Sequence, residues 1–159
     1  MESKYVKPFI EATVKVLETM AFVTPTVGET CVWDHDQAIS EVMGIIGLSS
    51  EDEKIKGFMT IGFVEASIVQ IVSSMFGEEF KTMTDEVREA VGEIANMISG
   101  QARQGLSVMG LKLEGGLPTI ITGNGIDVSD TKDKPVLMVR FTVDKGPFEL
   151  GICIEGLPE

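Results

Sequence analysis

Residues 85–109 constrain the fold more than any other stretch of the chain. Val87, Val91, Ile94, Ala95, Ile98 and Ala102 recur at intervals of three and four, the period of an α-helix with one apolar face. Thr84 precedes Asp85 and Glu86, which is an N-cap followed by acidic residues in the first turn, and Gly110 follows the last periodic position. The spacing predicts a helix to about Met109, with Gly100 as a point where it could bend. A helix this long with one apolar stripe must lie along a second layer to bury it.

The opposite side of that helix carries a short polar line. Glu89, Glu93 and Asn96 are spaced i, i+4, i+7 and fall within about 60° of arc, and Asp85 and Arg103 extend the line at either end. A solvated face more often alternates Lys and Glu, whereas here an uncharged, middling helix former sits in mid-helix. Gly100 continues the line, at a cost of roughly 1 kcal/mol relative to Ala. The helix gives up stability on the face that holds Asn96. Two readings are open at this point: an ordinary wet surface, on which a Glu-x-x-Asn pair is common, or a site that needs a carboxamide.

The remaining elements alternate around this helix. Residues 3–20 have apolar positions at Val6, Phe9, Ile10, Thr13, Leu17 and Met20, a one-faced helix in which Pro8 is tolerable only in the first turn. Residues 25–34, 39–48 and 55–64 are rich in Val, Ile, Phe, Thr and Gly and read as strands, with Glu51 to Lys54 as a charged turn. Residues 65–76 read as a second helix closed by Gly77. Pro118–Thr122 follows the long helix, and 135–143 and 148–154 form a hairpin turning through Asp144-Lys145-Gly146. Consecutive strands with helices between and around them predict an α+β fold, a largely antiparallel sheet covered on one face by long helices. With 159 residues and 43% hydrophobic content, 1–159 is expected to be a single domain.

Charge and residue counts exclude several function classes. A formal net charge of -12 opposes binding to nucleic acid or anionic membrane surfaces. No apolar run reaches the length of a membrane span and the N-terminal region is charged, so a cytoplasmic protein without a signal peptide is expected. Cys31 and Cys153 lie far apart in strand-like runs and read as small buried hydrophobes rather than a disulfide. His35 is the only histidine, so any zinc site, triad or Cys/His dyad would have to use it; in Asp34-His35-Asp36 it reads as a turn. Thr122 to Asp127 lacks the ligand series of a calcium loop and the lysine of a phosphate cradle, and Asn124-Gly125 reads as a turn.

Glu89-x-x-x-Glu93-x-x-Asn96, followed after 21 residues by Pro118, resembles the signature of the CheC/CheX/FliY chemotaxis phosphatases. The flanks Gly-Glu-Ile-Ala-Asn-Met-Ile-Ser-Gly100 and Pro-Thr-Ile-Ile-Thr-Gly123 are most similar to CheX. Glu89 stands where the family usually has Asp or Ser. CheC-like members carry a second motif on the first helix; here Glu11 is followed three residues later by Val14, which resembles the single-site CheX arrangement. The resemblance implies a single CheX-like domain that hydrolyses the aspartyl phosphate of a CheY-like chemotaxis response regulator. Asn96 would orient the attacking water and Glu93 would anchor the regulator's lysine. It further implies no cofactor of the protein's own, Mg²⁺ on the regulator, and a homodimer joined by sheet edges. A non-catalytic binding module or adaptor for a response regulator or flagellar switch component would share Glu93 and differ at Asn96.

Overall fold

The computed structural model describes residues 3–129 and 134–158 and places three α-helices with a seven-stranded antiparallel sheet. The order is α1 (Ser3–Met20), β1 (Thr26–Val32), a 3₁₀ turn (His35–Gln37), β2 (Val42–Ser49), β3 (Lys56–Phe63), α2 (Glu65–Phe76), α3 (Asp85–Val108), β4 (Glu114–Gly115), β5 (Thr119–Thr122), β6 (Leu137–Val143) and β7 (Gly146–Glu155). The α+β fold expected from the sequence is the one observed. No helix among the described residues is long and apolar enough to cross a membrane.

Strands lie in the order β1-β6-β7-β3-β2, and β4 and β5 both pair the outer edge of β2. Exchanging β1 with β5, β2 with β6 and β3 with β7 reverses this order onto itself, so the sheet is built from two α-β-β-β halves about an axis between β3 and β7. In that exchange α1 is the counterpart of α3. The strands sort their side chains with period two. Val42, Ile46 and Leu48 of β2, Met59, Ile61 and Phe63 of β3, and Phe148, Leu150, Ile152 and Ile154 of β7 join the helices in the main core. Phe141, Phe148 and Phe63 stack in sequence across three neighbouring strands, with ring centroids 4.9 and 5.3 Å apart.

The other face of the sheet carries a second, smaller core of Trp33, Met43, Val128, Val136, Met138 and Cys153. Among the described residues no helix joins it; Trp33, just after β1, and Val128 and Val136, between β5 and β6, do. Glu149, fully buried on this face, faces Arg140 across the β6–β7 pair. Its carboxylate accepts hydrogen bonds from Arg140 Nη2 at 2.8 Å, Ser40 Oγ at 3.0 Å and the Ile39 backbone N–H at 3.4 Å. Arg140 Nη2 also donates to the Gln37 carbonyl, which pins the 3₁₀ turn to the sheet. The segment at His35 is therefore a single 3₁₀ turn capped by Asp34, more ordered than a bare turn. Cys31 and Cys153 are both outside any disulfide, on strands separated by β6.

One sequence expectation needs correction. Pro8 lies in the second turn of α1, not the first. A proline there forgoes one helical hydrogen bond, and its ring crowds the preceding turn. What holds it is tertiary: a Cβ built at Gly105 of α3 would stand 3.1 Å from Pro8 Cβ, so α1 and α3 cross closely at this pair. Around that crossing Tyr5, Val6, Phe9, Val16 and Leu17 of α1 are buried, and their packing holds a helix that local propensity alone disfavours.

Candidate functional site

Helix α3 presents the site and is fixed along its whole length. Thr84 Oγ1 accepts the Val87 N–H at 3.2 Å, which caps the first turn. Val87, Val91, Ile94, Ala95, Ile98, Ala102 and Leu106 are all buried against the sheet and the other helices. Two glycines let the layers close on it. A Cβ at Gly44 of β2 would stand 3.1 Å from Ala95 Cβ, and one at Gly92 would stand 3.4 Å from Ile120 Cδ1 and 3.6 Å from Pro118 Cγ. The helix runs unbroken through Gly100.

On the opposite side, Glu89, Glu93 and Asn96 are all exposed, as the periodicity predicts. Among the described residues, none of the three side chains takes part in a hydrogen bond or ion pair. A rigid helix thus offers a carboxylate and, one turn on, a carboxamide, both with their hydrogen-bonding capacity unspent. Asn96 can accept once or twice and donate twice without bringing a charge. Glu93 can only accept, and it suits a cation.

The surroundings of this line could not be read from the helix alone. Pro118 packs beside α3 at Gly92, so the residue that completes the sequence motif adjoins the line. The connection from β4 to β5 then runs back along α3: Gly115 lies against Ser99 and Arg103, and Leu117, almost fully exposed, stands between. Nothing in the polar pattern marks Leu117; only the placement of Gly115 and Pro118 does. Arg103 Nε donates to Ser99 Oγ at 3.2 Å.

Other candidates lie elsewhere. Asp34, His35 and Asp36 are the one trio of metal-competent side chains within reach of one another among the described residues, and all three are exposed. His35 Nδ1 is 3.3 Å from Asp34 and its Nε2 3.1 Å from Asp36, so the group satisfies itself. Asp127, in the connection after β5, is near His35; the hydroxyl and backbone N–H of Ser129 and then the imidazole hold its pKa below the ordinary carboxylate value. Asn124-Gly125 is part of that same connection, with Gly125 at φ 62°, the left-handed turn expected of it. On α1, Glu11 pairs with Lys7 at 3.8 Å on the surface. A groove between α1 and α3, lined by Lys7, Lys15, Gln101 and Gln104 among others, contains none of Glu89, Glu93 or Asn96.

Comparison with known proteins bears on this site. The family model described as "Chemotaxis phosphatase CheX" matches residues 42–142. The chain is 21% identical over 129 residues to the CheY-P phosphatase CheX of Thermotoga maritima, covering 80% of this chain and 81% of that protein. Among solved structures, a chemotaxis protein CheX from Desulfovibrio desulfuricans is 33% identical and superposes with a TM-score of 0.85, covering 96% of this chain and 99% of the other. The CheX–CheY–BeF3–Mg²⁺ complex from Borrelia burgdorferi matches at 25% identity and a TM-score of 0.79, over 95% of this chain and 97% of that one.

Proposed function

The chain belongs to the CheX chemotaxis phosphatase family, and from that premise we propose that it hydrolyses the aspartyl phosphate of a phosphorylated CheY-like response regulator. The observation that carries this reading is the pair Glu93 and Asn96, adjacent, exposed and unengaged on a helix whose other face is buried. An acyl phosphate held by a regulator already has Mg²⁺ and a lysine neutralising its oxygens; it lacks a water held in line with phosphorus. Asn96 supplies that. Its carboxamide accepts from the water and donates to it or to a phosphoryl oxygen, without the negative charge that would repel the group under attack. The water oxygen bonds to phosphorus, the bond to the aspartyl oxygen breaks, and the products are the free carboxylate and inorganic phosphate. Glu93 accepts a charge-assisted hydrogen bond from the regulator's lysine and fixes α3 over the phosphoryl group. The metal belongs to the regulator in this reading; among the described residues the one metal-competent trio, Asp34-His35-Asp36, lies outside α3.

The protein also fits a homodimer joined along a strand edge. Among the described residues β1 is bonded on one side only, to β6, and six of its seven residues are exposed, whereas the outer edge of β2 is taken by β4 and β5. A free edge of this length invites pairing with a second copy.

The test of the phosphatase reading follows acyl phosphate loss from a phosphorylated CheY-like regulator with wild type, Asn96→Ala and Glu93→Lys. Wild type accelerates the loss, Asn96→Ala binds without accelerating it, and Glu93→Lys binds weakly. A wild-type protein that binds the regulator and leaves its rate unchanged is an adaptor, and the enzyme reading fails.

A further inference from the structure

Arg103 is the one arginine among the described residues without a carboxylate partner: Arg88 pairs with Asp85, and Arg140 with Glu149 at 2.8 Å. In a chain of net charge -12 that is unexpected, because acidic neighbours are abundant. Its guanidinium is nonetheless well placed. Nε is tied to Ser99 Oγ at 3.2 Å, Nη2 lies 4.0 Å from where a Cβ would stand at Gly100, and Nε and Cζ lie 2.9 and 3.1 Å from where one would stand at Gly115. The group therefore lies in a notch floored by the backbone of two glycines, half-buried, with the terminal nitrogens that form a bidentate fork unspent. A side chain at Gly115 would occupy its place.

We propose that Arg103 receives a carboxylate from the regulator's surface and so fixes the direction in which the regulator docks along α3. The proposal rests on the phosphatase reading for its partner. Arg103 follows Asn96 by seven residues, about 10 Å along the axis, and its side chain leans back toward Gly100, still a full turn past Asn96. A phosphoryl group positioned at the water of Asn96 is out of hydrogen-bond reach of that fork, so the matching anion is an acidic side chain on the surrounding surface. The line on α3 is then graded: Glu89 and Glu93 at one end, neutral Asn96 in the middle, Arg103 at the other. Only one docking direction puts a lysine at the acidic end and an acid at the basic end, and the reverse juxtaposes like charges.

The experiment uses the full chain and a CheY-like regulator, phosphorylated and unphosphorylated, with wild type, Arg103→Glu, Arg103→Lys and, as a control for net charge, Lys54→Glu on the exposed β2–β3 turn. Arg103→Glu is expected to raise KM about thirtyfold with kcat within about threefold, and to weaken binding of both forms of the regulator by a similar factor. The penalty shrinks to about threefold at 0.5 M salt, and Arg103→Lys loses only about fivefold because it keeps the charge without the fork. The proposal is overturned if Arg103→Glu behaves like Lys54→Glu, if only the phosphorylated form is affected, or if kcat and melting temperature fall together independently of salt, which is the signature of a packing role. Should wild type bind the regulator without hydrolysing it, the phosphatase reading fails while the binding arm still decides the role of Arg103.

Discussion

Pro118 packs its ring over α3 at Gly92, 3.6 Å from the point where a Cβ would stand. The contact brings Pro118, separated from Asn96 by 21 residues in sequence, against the helix that carries the rest of the motif, and lays the β4–β5 connection along α3 between Gly92 and Ser99. The same glycine gives a test. A methyl at residue 92 would meet Ile120 at 3.4 Å and Pro118 at 3.6 Å, which is ordinary contact. Gly92→Ala is therefore expected to fit and to stabilise the helix by about 0.5–1 kcal/mol through its better propensity, read as a higher midpoint in urea with phosphatase activity retained. Gly92→Leu has no room, displaces Pro118 and Ile120, and should lower both stability and activity.

Asn96 separates hydrolysis from docking. Asn96→Ala is expected to cut kcat by about 10²-fold while KM changes little, since an exposed side chain that orders a water contributes to the transition state rather than to the bound complex. Asn96→Asp keeps the shape and adds a negative charge facing the phosphoryl group, so it should be no better than Ala and should also raise KM. Single-turnover decay of the phosphorylated regulator at saturating enzyme gives the kcat comparison directly. An Asn96→Asp enzyme as fast as wild type would remove charge from the argument.

Much of this architecture was legible because α3 obeys one periodicity from Val87 to Leu106. A stripe of buried residues on one side necessarily leaves Glu89, Glu93 and Asn96 on the other, and the cap at Thr84 fixes where the pattern starts. Runs rich in Val, Ile, Phe, Thr and Gly between turn clusters likewise marked β2 and β3, and the turn through Asp144-Lys145-Gly146 marked the hairpin of β6 and β7. Partner choice was not legible: nothing local to Leu48 and Ser49 announces the two-residue β4 that pairs them, and strand pairing between β1 and β6 spans more than 100 residues of sequence. Pro8 was misplaced by a turn because local propensity cannot register its contact with Gly105. Cys153 read as a small buried hydrophobe from its strand-like run, whereas the burial of Trp33 follows only from the second core it shares with Val128 and Val136. Arg103 belonged to the sequence line from the start, but its missing carboxylate and its glycine floor exist only in three dimensions.

Glu149 should be among the most costly residues to remove. Its buried carboxylate neutralises Arg140 and accepts from Ser40 and the Ile39 N–H, so truncation leaves a charge and two donors without their acceptor. Glu149→Ala is expected to cost about 3–5 kcal/mol, which for a chain of this size lowers the melting temperature by roughly 6–20 °C. Glu149→Gln keeps an acceptor and should cost less. Since Glu149 lies on the face of the sheet away from α3, kcat of the folded fraction should stay within about twofold of wild type below the melting transition. Equal stability of Glu149→Ala and wild type in urea would mean that Arg140 is satisfied without it.

The β1 edge makes the oligomeric state testable. Val27 and Val32 are large apolar side chains left 42% and 57% exposed on a strand that, among the described residues, is paired along one edge only. Strand edges that are meant to stay single are usually guarded by charge, and this one carries only Glu29. Its register with β6 shifts between Val27 and Thr30, a bulge that increases local twist, so pairing with a second copy would run mainly through Thr30–Val32. Val32→Lys places a cation at that segment. If two copies meet at an antiparallel pair of β1 edges, the substitution acts twice in each dimer, because the interface is self-complementary. Sedimentation equilibrium is expected to show a dimer for wild type and a shift toward monomer for Val32→Lys by at least about tenfold in dissociation constant, with an unchanged circular dichroism spectrum. The line Glu93–Asn96 lies on α3, away from β1, so the monomeric variant should keep its rate on the regulator. A Val32→Lys protein that dimerises as tightly as wild type would assign the interface to another surface.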